Sequence, residues 1–390
     1  MHNLARALLA LGGLVVLLPA ASAGPRMWGG DEPSPYYVPR GLQSPLRDDG
    51  VHLGGDIWID TGYQSTHREL ESEPDLHFWL MKGRFMLDVT ATYTWRERFF
   101  VQAKGQILAF VEDIRNNQFL DTDDAWVRFG MWDLWDIQIG RFEKWRVYHK
   151  GEGFERDTLE HLGAFDGPRM YEVNYAFYRQ DGFGQVAAHL YPLSWLRFEL
   201  GSVFGNEMGF NSVGVRPAGI VDFGWLRVKL AGEYRRLEHQ EEGRKEWETR
   251  RGIGGSVAFY YDEPHRVVRV QVGLNAAYGY IDKVNPFGEV DERGSPDTLS
   301  LGGFLNVGLW SAVVGFGYNH TIQGDRQHRE TIESRFVHKQ LFASLRHHIF
   351  VRRLTAKLVF SWAEADLRPA VGNQRLNEMY SIRLRMAMVF

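Results

Sequence analysis

The sequence predicts an all-β protein whose strands close into a transmembrane antiparallel β-barrel of about 16 strands, with 18 as the alternative. Three observations predict it. Apolar and polar residues alternate in one stretch after another, which is typical of strands with one apolar face. Short and long connections between these stretches also alternate. Finally, 13 Trp, 16 Tyr, 25 Phe and 42 Gly occur in 390 residues whose mean hydropathy is nevertheless negative.

The first 50 residues divide into two segments that precede the predicted barrel. Residues 1–23 have the features of a secretory signal peptide: Arg6, an apolar run and the small-residue site Ala21-Ser-Ala23. Residues 24–50 are rich in proline and are predicted to form a periplasmic leader without helix or sheet. The barrel domain is expected to cover residues 51–390. With no cysteine in the chain, disulfides and a thiol nucleophile are excluded.

The alternating stretches give sixteen predicted strands. In residues 225–236, for example, apolar Leu226, Val228 and Leu230 alternate with polar or small residues. The predicted strands are 51–63, 83–95, 98–110, 122–131, 134–142, 182–191, 194–205, 211–223, 225–236, 252–261, 266–281, 297–309, 311–322, 336–349, 353–366 and 376–390.

The connections support the barrel because short turns are expected at one end and long loops at the other. Short turns are predicted at 96–97, 132–133, 192–193, 223–224, 262–264, near 310 and at 351–352. Long connections are predicted at 64–81, 111–121, 143–181, 206–210, 237–251, 282–296, 323–335 and 367–375. Residues 170–178 also look like a strand but are assigned to a connection, because counting them gives an odd number. A short helix is predicted near 155–162.

The last eleven residues of the final strand, 380–390, show the pattern most clearly. Its apolar face includes Tyr380 and Phe390, while Arg383 and Arg385 lie on the other face. An ordinary amphipathic edge strand is the alternative interpretation. A terminal strand that ends in Phe resembles that of bacterial outer-membrane barrels, which implies that Phe390 is part of the assembly signal. Closure against residues 51–63 is expected to bring the two arginines opposite Asp56 and Asp60.

The longest connection, 143–181, is predicted to fold into the barrel and narrow it, although an ordinary extracellular loop is the alternative. Its candidate constriction residues are basic: Lys144, Arg146, Lys150, Arg156 and Arg169.

The wall itself supplies further cations. Alternation places these residues inward as candidate pore-lining and selectivity residues: Lys104, Arg128, Arg197, Arg227, Lys229, Arg235, Arg269, Arg346, Lys357, Arg383 and Arg385. Fewer acids are expected on that face: Asp56, Asp60, Asp88, Asp136, Glu199 and Glu233. A wall of predominantly positive charge favours anions. Salt-bridged ladders without selectivity, such as Arg197 with Glu199 or Lys229 with Glu233, are the alternative.

Two motifs carry a family resemblance. Asp124-Ala-Trp-Val-Arg-Phe-Gly, followed by Ile137-Gln-Ile-Gly-Arg-Phe, resembles the paired-strand signature of the phosphate-selective porin O and P family and of general bacterial outer-membrane porins. Residues 179–186 and 200–206 are similar to the strands that follow in that family. The family's usual proline after the second motif is replaced here by Glu143-Lys-Trp. The resemblance implies an outer-membrane channel, commonly a homotrimer, in which the following loop constricts the pore.

Together these observations predict a water-filled channel in the cell outer membrane for passive diffusion of small hydrophilic solutes, with a preference for phosphate or other anions. The alternative is a plugged or substrate-specific barrel with a structural or dedicated transport role. A soluble secreted β-sandwich is the competing fold. Expected partners are outer-membrane lipid, lipopolysaccharide, the barrel assembly machinery and the solutes. The sequence predicts no enzyme activity, cofactor, metal site or nucleic-acid binding.

Overall fold

The computed structural model describes residues 49–68, 75–110, 120–121, 124–145, 147, 183–207, 210–241, 244–262, 268–284, 297–309, 311–324, 335–349, 354–368 and 375–390. The predicted signal segment 1–23, almost all of the leader 24–50, the predicted helix 155–162 and the strand-like residues 170–178 lie outside these ranges.

Every regular element in the described ranges is a β-strand. The strands are β1 (Gly50–Arg68), β2 (Leu76–Trp95), β3 (Phe99–Phe110), β4 (Leu120–Asp121), β5 (Ala125–Met131), β6 (Trp135–Arg141), β7 (Phe183–Leu193), β8 (Leu196–Glu207), β9 (Phe210–Asp222), β10 (Leu226–Glu241), β11 (Arg244–Asp262), β12 (Val268–Val284), β13 (Asp297–Leu309), β14 (Ala312–Gly324), β15 (Arg335–His348), β16 (Leu354–Arg368) and β17 (Arg375–Val389).

The strands form one closed antiparallel sheet. Strands that follow one another along the chain are hydrogen-bonded neighbours in the wall, and β1 closes the ring by pairing with β17. Strands β4 and β5 both pair with β3 and together occupy one position, so the barrel has sixteen positions. The predicted closed, all-β antiparallel barrel is therefore confirmed.

The two faces of the wall have opposite character. On β10, Val228 and Leu230 are exposed on the outer face, whereas Arg227, Ala231 and Glu233 on the other face are buried. This distribution is the reverse of a water-soluble protein, because apolar side chains are outside and polar ones inside. Exposed aromatic side chains mark both edges of the outer apolar band: Trp95, Trp225 and Tyr261 beside the short turns, and Tyr234, Tyr278 and Tyr380 toward the other end. No described helix is long and apolar enough to cross a membrane.

Several predicted boundaries are wrong. Residues 237–251 were expected to be a loop, but β10 continues to Glu241 and β11 begins at Arg244, and the two strands pair there, for example Leu237 with Glu248. Similarly, β1 and β2 extend into the predicted loop 64–81. Beyond the apolar band both faces of a hairpin can be polar, so the alternation ends while the main-chain pairing continues. The predicted turn at 192–193 belongs to β7, and the turn lies at 194–195.

The seam that closes the barrel includes the last residue. Gly55 and Phe390 exchange two main-chain hydrogen bonds, each 3.1 Å, and the Phe390 ring stacks against Phe85 with centroids 6.1 Å apart. Gly55 leaves the necessary room, because a Cβ there would lie 2.1 Å from the Met86 carbonyl oxygen and 2.7 Å from Cζ of Phe390.

We expect Gly55→Ala to weaken this seam by about 1–3 kcal/mol, since the added carbon collides with main chain. The midpoint of heat-modifiable gel migration would measure the loss. Gly105→Ala on β3 is the matched control, because a Cβ there meets nothing within 4 Å. Equal midpoints for the two variants would contradict the steric argument.

Candidate functional site in the barrel interior

The chain leaves the wall after β6 and turns into the barrel. Strand β6 pairs with β7 only from Trp135 to Ile139. The Phe142 main-chain N–H then donates to Oε1 of Gln185 (2.9 Å), and the Trp145 ring stacks on His189 with centroids 5.0 Å apart. On β7, His189 is nearer than Gln185 to the turn at 194–195. Residues 142–145 therefore turn back along the inner wall toward the short-turn end.

Two wall residues clamp the main chain of Trp145. Its N–H lies 3.0 Å from each carboxylate oxygen of Glu199, and its carbonyl oxygen accepts a hydrogen bond from Nη2 of Arg216 (2.8 Å). Arg216 also donates from Nη1 to Oε1 of Glu199 (3.1 Å). Burial of peptide groups is costly unless they are hydrogen-bonded, so this arrangement, the Trp145 clamp, holds the segment against β8 and β9.

A charge network backs the clamp. Both ring nitrogens of His189 face carboxylates: Nδ1 is 2.5 Å from Oδ1 of Asp136, and Nε2 is 3.2 Å from Oε2 of Glu199. Asp136 also accepts hydrogen bonds from Arg128 (2.6 Å) and the Tyr191 hydroxyl (2.9 Å). The Trp145 clamp is thus joined to β5, β6 and β7.

Lys144 is buried beside the clamp. The aliphatic chain of Lys144 lies over Gly201, where an added Cβ would be 2.3 Å from Cδ of Lys144. Lys144 is only 2% exposed to solvent. The amine has no hydrogen-bond partner. Burial lowers the pKa of Lys144 to about 7; Glu199 opposes this effect, while Arg216 and Arg235 add to it.

Val147, the next described residue after Trp145, contacts β11. The Val147 carbonyl oxygen accepts a hydrogen bond from Oγ of Ser256 (2.5 Å). Its side chain belongs to a buried apolar cluster formed by inner-wall residues: Ala218, Ala231, Ala258, Ala277, Phe304, Phe342 and Val359. The beginning of the predicted constriction connection is therefore inside the barrel. The other basic residues predicted for it, Arg146, Lys150, Arg156 and Arg169, lie outside the described ranges.

Ion pairs inside the barrel hold several of the cations predicted to face inward. Asp222 contacts Arg227 (3.0 Å) and Arg197 (3.8 Å). Lys104 lies between Asp124 (3.4 Å) and Asp88 (3.8 Å). Arg235 donates to the Ser212 hydroxyl (2.9 Å) and is buried. The pairing of Arg197 with Glu199, given above as an example of the alternative, is not formed: Arg197 contacts Asp222, and Glu199 binds Arg216 and His189.

At the seam, the expected contact of the final strand with Asp60 is confirmed. Asp60 accepts hydrogen bonds from Arg385 (2.7 and 2.9 Å) and from Arg383. The expected contact with Asp56 is wrong: that residue lies opposite Val389 and accepts from Arg84 (2.9 Å) on β2. Asp60 consequently pairs with two arginines of β17, Arg383 and Arg385.

Three inward cations form a row across adjacent strands. Arg346 on β15 is the direct neighbour of Lys357 on β16, which is the direct neighbour of Arg385 on β17. Asp60 on β1 comes next. The charges of these three residues add, so this cationic row makes the electrostatic potential positive near the short-turn end of the interior. Like charges placed directly opposite each other also repel, which is a cost to the stability of the wall. Arg269 and Lys229 lie on β12 and β10.

Some site residues were missed by sequence reasoning although alternation could have found them. Arg216 follows the apolar residues Val213 and Val215 at the inward position, and Asp222 continues the same face of β9. Trp145 had no such signal, because its partners on β8 and β9 lie 54 and 71 residues further along the chain.

Among the described residues, no group of three or more His, Asp or Glu side chains is arranged to hold a metal ion. Both ring nitrogens of His189 lie within hydrogen-bond distance of carboxylates, those of Asp136 and Glu199.

No protein-family model and no curated protein matches the chain in sequence, so the expected membership of the phosphate-selective porin family is not confirmed. Solved structures resemble it in fold. A loop L8 deletion mutant of OmpT, an outer membrane protein of Vibrio cholerae, aligns with TM-score 0.52 and 11% identity over 86% of this chain and 99% of that one. An anion-selective porin from Comamonas acidovorans aligns with TM-score 0.52 and 12% identity over 88% and 100%. These similarities show a shared barrel fold.

Proposed function

We propose that the protein is an outer-membrane porin that lets small hydrophilic solutes diffuse passively and prefers anions such as phosphate. The observation that carries the proposal is the cationic row of Arg346, Lys357 and Arg385 on the inner wall. The sixteen positions of the wall suit this function, because barrels of that size leave an aqueous channel.

Charge and geometry support the anion preference. Cations on neighbouring strands raise the local concentration of counter-ions, and the planar guanidinium group suits carboxylate and phosphate oxygens. Segment 142–147 occupies part of the interior and would narrow the path of solutes through the barrel.

Reversal potentials in a salt gradient test this proposal. We expect the reconstituted protein to be anion-selective, and Lys357→Glu to shift the reversal potential toward cations because the middle of the row changes sign. Lys339→Glu is the matched control, since Lys339 lies on the outer face and pairs with Glu364 (2.6 Å). A cation-selective wild type, or equal shifts in both variants, would overturn the proposal.

A plugged barrel is the second candidate, favoured by one specific observation. Inner-wall residues Ser300, Ser361 and Ala363 on β13 and β16 are completely buried, and segment 142–147 lies inside the barrel. Single-channel recordings separate the two candidates, because a plugged barrel shows no stable open level.

The remaining expectations follow from the same proposal. The apolar outer face would contact outer-membrane lipid and lipopolysaccharide after export by a cleaved signal peptide, and the barrel assembly machinery would recognise β17 with Phe390 at its end. The protein would act without catalysis or nucleic-acid binding. Homotrimer formation stays a prediction, which the mass of the detergent-solubilised complex can test.

A further inference from the structure

Lys144 occupies an unfavourable position for a charged amine. Its side chain is buried against Gly201, and Nζ has no hydrogen-bond partner. A buried amine without an acceptor is destabilised in its charged form, because it has lost its hydration.

The neighbouring charges do not compensate for this loss. The strands packed around Lys144 contribute these titratable or charged groups: Asp136 on β6, His189 on β7, Glu199 on β8, Arg216 on β9 and Arg235 on β10, with Glu143 on the segment itself. Asp136 is occupied by Arg128, His189 and Tyr191, and Glu199 is shared by His189, Arg216 and the Trp145 N–H. The two arginines repel a third cation.

We propose that the Trp145 clamp is a proton-operated latch, in which protonation of the Lys144 amine releases segment 142–147 from the inner wall. The latch rests on the proposed function, because its biological effect would be to regulate the channel. Its parts are distinct: Glu199 and Arg216 hold the main chain of Trp145, and Lys144 makes the hold depend on pH.

The direction of the pH dependence follows from the two states of the amine. On the wall, the pKa of Lys144 is about 7, whereas an amine released into water has the ordinary value of 10.5. Between these values release takes up one proton. The released population therefore grows as the pH falls, by close to tenfold for each pH unit, and levels off below about pH 7.

The absence of native cysteine allows a direct test. In a Val147→Cys variant of the full chain, folded in lipid vesicles, the single thiol replaces a side chain that is 1% exposed. A methanethiosulfonate reagent labels it when the segment leaves the wall. Dividing each rate by that of the same variant in denaturant at the same pH removes the titration of the thiol. We expect this ratio to rise about 50-fold between about pH 9 and pH 7.

Three variants in the Val147→Cys background identify the titrating group. Lys144→Met should give a low ratio that does not change with pH, and Lys144→Arg a high ratio that does not change with pH. Lys104→Met should retain the full pH dependence, because that lysine lies on β3 beside Asp124. A ratio equal at both pH values, or a pH dependence that survives in Lys144→Met, would overturn the latch.

Conductance recordings of the same Val147→Cys protein separate this proposal from the proposed function. An open channel with labelling that does not depend on pH removes the latch alone. The absence of any open level removes the porin function, while pH-dependent labelling would still support a latch on segment 142–147.

Discussion

Replacing Glu199 with alanine is expected to lower the free energy of unfolding by about 3–5 kcal/mol and to free segment 142–147. The carboxylate accepts hydrogen bonds from the Trp145 N–H, Arg216 and His189, and the side chains of Arg216 and His189 are completely buried. Without Glu199, Arg216 would be a buried cation without a carboxylate from the clamp. Loss of this buried ion pair is the main reason for the large expected loss of stability.

The midpoint of heat-modifiable migration measures the stability change, and single-channel noise measures the mobility of the segment. Glu199→Gln should lose less stability than Glu199→Ala, because the amide oxygen of glutamine can still accept a hydrogen bond from the Trp145 N–H. Glu248→Ala is the matched control: Glu248 is also a buried acid and pairs with Arg250, whose side chain is 27% exposed, on β11. Equal losses for Glu199→Ala and Glu248→Ala would mean that the clamp has no special role.

Gly201→Val tests the seat of the segment without changing a charge. The larger side chain would occupy the space of the Lys144 aliphatic chain. If the Trp145 clamp controls the segment, Gly201→Val and Glu199→Ala should both increase channel noise. Glu199→Ala should lower the midpoint of heat-modifiable migration more than Gly201→Val does, because only Glu199→Ala removes the carboxylate that pairs with Arg216.

The sequence was sufficient to predict the barrel, because one physical signal is repeated in every strand. Alternation on β10 places Val228 and Leu230 outside and Arg227 and Glu233 inside, as the structure has them. Closure then predicts that β17 meets β1, which brings Arg385 to Asp60. These are consequences of strand period and of the absence of free edges.

The predictions that were wrong concern features for which the alternation of apolar and polar residues is a weak signal or gives none. The register of β1 with β17 places Val389, and not an arginine, opposite Asp56, and a pattern of period two cannot fix such an offset. The Trp145 clamp depends on where a connection rests inside the barrel. Its main-chain contacts with Glu199 and Arg216 follow no periodicity, so only the folded structure reveals them.

The interior consequently contains two charge systems with different balance. Around Asp136 and Glu199, carboxylates and cations are interleaved and hold segment 142–147. Near the seam, Arg346, Lys357 and Arg385 stand in a row, with Asp60 at its end. Ion selectivity is thus expected to depend more on the second system. Substitution of Asp60, the carboxylate of that system, is therefore the most direct test of this expectation.

We expect Asp60→Ala to destabilise the barrel by about 3–5 kcal/mol and also to shift the reversal potential in the direction of anion selectivity. The Asp60 side chain is 1% exposed, and it accepts from both Arg383 and Arg385 across the seam between β1 and β17. Its removal leaves the cationic row without the carboxylate at its end. Two measurements therefore follow from one substitution: the midpoint of heat-modifiable migration and the reversal potential in a salt gradient.

Asp56→Ala is the control on the same strand. Asp56 pairs with Arg84, whose side chain is 12% exposed, away from the cationic row, so we expect a smaller loss of stability and little change in reversal potential. The double variant Asp60→Ala with Arg385→Met should recover part of the lost stability, because it removes a cation together with its partner. If Asp60→Ala destabilised the barrel but left the reversal potential unchanged, permeating ions would not pass the cationic row, and the plugged barrel would become the better interpretation.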